Sequence, residues 1–192
     1  MRKKIKLTFL LLMICGITTA QSKLNYGVKA GGNFTGFHTG SSTFTSEFGI
    51  NIGGIAEYSF SDRIGIQTEL LLNQKAGNFG VRDNSNFFLG NIVSKLVYID
   101  IPILAKIYIG NKFSFEVGPQ IGFKISEKTE FNGEEIESEI KTLDTAIVGG
   151  FGYQFDQGLF IQARYGYGLS EIFENERYKN SVISLSLGYK FY

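Results

Sequence analysis

The chain has a single cysteine, Cys15, no tryptophan, and no apolar run long enough to cross a bilayer as a helix. Its longest apolar stretch, Leu7 to Cys15, falls short of the about 20 residues that a spanning helix needs. That stretch follows Met1, Arg2, Lys3, Lys4 and Lys6 and precedes Gly16, Ile17, Thr18, Thr19 and Ala20. Basic, then apolar, then small is the order of a secretory signal peptide, with cleavage expected after Ala20. The division is therefore a leader over 1–20 and one domain over 21–192.

Cys15 falls in the leader, so the mature chain is expected to lack disulfides, a thiol nucleophile and a cysteine metal site. Ile14, large and branched, argues against lipidation at Cys15. Losing Arg2, Lys3, Lys4 and Lys6 takes the basic count from 19 to 15 against 18 acidic residues, a balance of −3. A chain of that charge is not expected to bind nucleic acid.

Helical periodicity is also missing after residue 21. Prolines number only two, whereas the 24 glycines exceed the usual share of about 7%, which disfavours long helices. Alternation of period 2 recurs instead. In Leu24 to Phe34, Leu24, Tyr26, Val28, Ala30 and Phe34 oppose Asn25, Lys29 and Asn33. Phe48 to Phe60 sets Phe48, Ile50, Ile52, Ala56, Tyr58 and Phe60 against Asn51, Glu57 and Ser59, with Ile55 as an apolar intruder. From Ile64, Ile66, Thr68, Leu70 and Leu72 oppose Gln67, Glu69, Asn73 and Lys75, with Leu71 as another.

The fourth strand, from about Val93 to Ile109, turns at Gly110, Asn111 and Lys112 into a fifth that begins at Phe113 and runs to Ile125. A sixth, Leu143 to Phe155, turns at Asp156, Gln157 and Gly158 into a seventh, Leu159 to Ser170; the eighth is Ser181 to Tyr192. Connections alternate between about three residues and about 10 to 17, within boundary errors of roughly two to four residues. Short turns at one end and long loops at the other are the pattern of an outer-membrane barrel. The expected fold is all-β: an eight-stranded antiparallel up-and-down transmembrane β-barrel behind a cleavable signal peptide.

Face polarity decides the solvent. One face is almost wholly apolar, while the other carries Lys29, Glu57, Glu69, Lys75, Asp100, Lys106, Glu116, Lys124, Asp144, Arg164 and Lys190. A soluble barrel with those charges converging inside would be costly to desolvate. Lys or Arg on a lipid face would cost about 2–4 kcal/mol each at mid-membrane. The apolar face must therefore meet outer-membrane lipid and the charges the lumen, with Tyr26, Phe34, Phe48, Phe60, Phe113, Phe155, Tyr189 and Phe191 as interfacial girdles.

Tyr98-Ile-Asp-Ile-Pro-Ile-Leu-Ala-Lys106, the run EVGPQIG from Glu116 to Gly122, and the ending Ser184 to Phe191 together resemble the PorT-like outer-membrane β-barrel family. The resemblance covers nearly the whole mature chain. It implies the barrel fold, outer-membrane placement and an association with protein secretion. A terminal aromatic, Phe191 or Tyr192, would be read by the barrel assembly machinery.

Six inward residues, Glu57, Glu69, Asp100, Lys106, Glu116 and Arg164, are the candidate site, read as a structural ion network filling the lumen. A narrow ion-conducting channel is the alternative reading. His38 beside Ser41 and Ser42 raises a lipid-acting enzyme, yet no carboxylate lies nearby in sequence, so no catalytic residues are expected. Gly149, Gly150 and Gly152 precede no helix and form no phosphate loop. No cofactor or metal is expected. The acidic stretch Glu127 to Lys141 reads as solvated surface, although Ile136, Ser138 and Ile140 alternating with glutamates suggest strands that continue above the membrane with inverted polarity. Expected partners are outer-membrane lipid and envelope proteins.

Overall fold

The computed structural model describes residues 24–38, 47–82, 85, 87–136, 140–171 and 179–191. Residues 1–20, expected to be a leader, and Ser41, Ser42, Ser138 and Tyr192 lie outside them. Eight long strands form an antiparallel ring: β1 (Leu24–His38), β2 (Glu47–Ser59), β3 (Ile64–Arg82), β4 (Phe88–Ile109), β5 (Phe113–Phe131), β7 (Leu143–Gln154), β8 (Leu159–Gly168) and β9 (Lys179–Phe191). A three-residue strand, β6 (Glu134–Ile136), folds back on the end of β5. Each long strand pairs with the next along the chain, and β1 with β9 from Tyr26↔Phe191 to His38↔Lys179, which closes the ring.

The turns at 60–63, 110–112 and 155–158 lie at the same end as both described termini. Lys112 Nζ donates to Asp156 at 3.0 Å across two of these turns. That hydrogen bond holds the exposed ammonium above its usual range.

Pleat parity sorts the side chains as the alternation requires. Ile99, Ile101, Ile103, Ala105, Ile107 and Ile109 point outward along β4; Tyr98, Asp100, Pro102, Leu104 and Lys106 are buried inside. Ile99 to Ile109 is about 33 Å of strand, which at a tilt of roughly 40° stands about 25 Å tall, the height of an outer-membrane apolar band. The intruders Ile55 and Leu71 are buried with Leu96, Tyr98, Leu104, Val148 and Phe160. The interior is therefore a mixed core of apolar packing and paired charge.

The strands run further than the apolar pattern does. β3 continues to Arg82, β4 starts at Phe88 and β5 reaches Phe131, so 83–87 replace a connection expected at about 14 residues. A bulge on β5 accompanies the change. Tyr98 pairs with Lys124 but Val97 with Ser126, so Ile125 is an extra residue and parity flips on β5 alone. Above it Leu96, Ser94 and Thr129 are buried while Lys95, Ser126 and Lys128 face out. Pairing continues although the lipid signature stops.

Pro102 and Pro119 have no N–H, and the ladders break around them. Pairing skips from Leu71↔Asp100 to Thr68↔Ile103, and from Pro102↔Gln120 to Ala105↔Val117. Thr68 Oγ1 donates to the Pro102 carbonyl at 3.1 Å in partial compensation. Gly118 permits the close approach there, since a Cβ would lie 2.0 Å from the Ile103 carbonyl oxygen.

Candidate functional site

The inward face of every long strand contributes polar groups, and the ring brings them together in three tiers along its axis. Nearest the short turns, Glu57 receives Lys106 at 3.1 Å and Lys190 at 2.8 Å, together with the Tyr108 hydroxyl. Lys106 also donates to Gln67 at 2.9 Å. This tier has two ammonium groups for one carboxylate.

At mid-height Arg164 forks onto Glu69, with Nη1 at 2.8 Å and Nη2 at 2.6 Å, while its Nε donates to Glu116. Lys29 lies 2.8 Å from Glu69, and Gln162 donates to Glu116 at 3.1 Å. Two cations here meet two anions. Towards the long loops, Lys75 bridges Asp100 at 3.1 Å and Asp144 at 2.8 Å, and stacks 4.4 Å above the Tyr98 ring. Asn73 and Gln120 donate to Asp100 at 2.6 and 3.1 Å; Asn180 and Ser170 donate to Asp144, both at 3.0 Å. This tier has two carboxylates for one ammonium.

All six residues singled out from the sequence are buried on the inner face, with Glu69, Glu116 and Arg164 in one tier, Glu57 and Lys106 in a second, and Asp100 in the third. Lys29, Lys75, Asp144 and Lys190 complete the tiers. Their inward parity is present in the sequence; their pairing is not, because it joins positions as far apart as Glu69 and Arg164. Five cations thus meet five anions inside. Taking ions out of water costs several kcal/mol each, which the interior offsets only by pairing and hydrogen-bonding them.

Lys124, also inward, bonds Glu127 and the Ile140 carbonyl above these tiers. His38 ends β1, but its side chain lies outside the described residues, as do Ser41 and Ser42. Glu127, Glu130, Glu134 and Glu135 sit on β5 and β6; Glu137 and Glu139 lie outside the described residues. Among the described residues no cluster of three His, Cys, Asp or Glu side chains is placed to hold a metal.

The outward face is a continuous apolar belt that includes Ile52, Leu70, Ile103, Val117, Phe151 and Leu185. Edge-to-face aromatic pairs mark its rims: Phe34 with Phe48 at the loop end, and Phe113 with Tyr153 and Tyr189 with Phe191 at the turn end. No helix among the described residues is long and apolar enough to span a membrane. The spanning elements are strands.

The fold is similar to that of Neisserial surface protein A, with a TM-score of 0.60 and 12% identity over 86% of this chain and 97% of that one. It is also similar to Ail, the attachment invasion locus protein of Yersinia pestis, with a TM-score of 0.56 and 16% identity over 88% and 99%. At that identity the likeness is one of fold alone. No curated relative matches the chain in sequence. The outer membrane protein beta-barrel domain matches residues 19–174, so the chain belongs to that family and its place is the bacterial outer membrane.

Proposed function

We propose that this is an exported, non-enzymatic barrel with a side-chain-filled lumen, acting as a structural or interaction module of the cell envelope. In this reading residues 1–20 are the removed leader and 21–192 the mature domain. One observation carries it: ten charged side chains are buried inside the ring and pair with one another in three tiers across the axis. Side chains spent on one another are not available to chemistry, and a lumen filled by them passes no solute.

What the protein offers to partners is then its outside. Lipid meets the belt. Phe191, facing out at the end of β9, is the terminal aromatic available to the assembly machinery, with Tyr192 after it. The PorT-like motifs have a structural basis: Asp100 and Lys106 each hold a tier, while Pro102, Gly118 and Pro119 set the close approach of β4 and β5. That resemblance adds support of protein secretion to the roles open to such a module. Envelope proteins would dock on the tall loop-end sheet of β3, β4 and β5.

Reconstitution into planar bilayers tests the filled lumen, with no steady single-channel steps expected; discrete steps of constant amplitude would favour the narrow channel instead. Co-purification from intact membranes in mild detergent tests the interaction role, with secretion components expected.

A further inference from the structure

Two lysines face each other where the apolar belt ends. Lys95 of β4 and Lys128 of β5 are cross-strand partners, both exposed on the outward face. Leu72, Phe123 and Ile125, also exposed, form the apolar wall directly beneath them. Like charges placed opposite one another in a ladder repel. Glu130 relieves one of them: it lies 2.7 Å from Lys128 Nζ, and that hydrogen bond holds its carboxyl below the usual range. Among the described residues no carboxylate lies within ion-pair distance of Lys95. Glu127 is taken by the inward Lys124. Glu130 and Glu135 pair one row further from the belt, so the cationic side of the patch looks toward the membrane.

Gln74 and Ser126 flank Val97 on the row between, and add an amide and a hydroxyl donor to the same face. From Val97 to Lys95 is about 7 Å of strand, roughly 5 Å of height at the barrel's tilt, which falls inside a headgroup layer of about 5–8 Å. The long-loop end faces out of the cell. We propose that Lys95 and Lys128, helped by Ser126 and Gln74, hold the phosphate of an outer-leaflet lipid whose acyl chains lie against Leu72, Phe123 and Ile125. This site rests on the lipid-facing reading of the belt and names the headgroup that its loop-end rim selects. A free phosphate would meet the same donors but leave the apolar wall below them unused.

The test reconstitutes the full barrel into phosphatidylcholine bilayers that contain a minor share of phosphatidic acid, and identifies the lipids retained on the protein by native mass spectrometry. A lysine near an anionic bilayer surface contributes about fivefold in binding, so phosphatidic acid should be enriched about tenfold or more over its bulk share. Lys95→Gln, which breaks no ion pair, should cut that enrichment about fivefold. Lys95→Gln combined with Lys128→Gln should abolish it, with closed barrels checked by heat-dependent gel mobility. Excess inorganic phosphate should leave the lipid in place; displacement would mean a free-anion site and overturn the assignment to lipid. No enrichment on the unaltered protein, or enrichment that survives the double variant, overturns the site. With the barrel still in the bilayer, those results fall on the rim alone; a chain that leaves the bilayer for the aqueous phase overturns the lipid-facing belt as well.

Discussion

Arg164 donates from three nitrogens to two carboxylates, a fork that lysine cannot reproduce. Arg164→Leu leaves Glu116 with Gln162 alone and Glu69 with Lys29 and Gln67, and breaking a buried pair this way costs about 3–5 kcal/mol. Urea-unfolding midpoints in detergent will register that loss; a change under about 1 kcal/mol, the worth of an exposed pair, would mean that the tier is hydrated. Adding Glu116→Leu removes the stranded carboxylate, and the double variant should recover part of the stability by the same measurement. The sequence reveals which charges turn inward, since Lys29, Glu57, Glu69 and Arg164 all stand opposite apolar neighbours. It does not reveal that Arg164 finds Glu69, because strand stagger around the ring decides which inward groups share a height.

At the scale of strands, alternation marks an element only while hydrocarbon lies on one side of it. Ile99 to Ile109 is therefore plain in the sequence, whereas Phe88 to Ser94 and Ser126 to Phe131 extend the same strands without the pattern. The Asn132-Gly133 pair was the available signal there, for such a pair marks a tight hairpin. Both residues have positive φ, 51° and 90°, between β5 and β6. Gly133→Val puts a branched side chain where left-handed backbone costs about 1–2 kcal/mol, so limited proteolysis should cut faster near 132–136 while the spanning part stays resistant. Within the belt, Ile103→Arg should destabilise by about 2–4 kcal/mol, again read from urea midpoints; no loss would place Ile103 away from lipid.

For the whole molecule, unboiled protein should run faster on a denaturing gel than boiled protein, because a closed ring is compact until heat opens it. Identical mobility would contradict closure between β1 and β9. That seam joins the first and last described spanning strands, and ion pairs reach across it: Lys190 of β9 to Glu57 of β2, and Arg164 of β8 to Glu69 of β3. No hairpin formed in isolation satisfies all of its charges, although β3 and β4 share the Lys75–Asp100 pair. An unfinished sheet would present unpaired ions to lipid, which disfavours half-built barrels. Closure of the ring and completion of the ion network are therefore coupled.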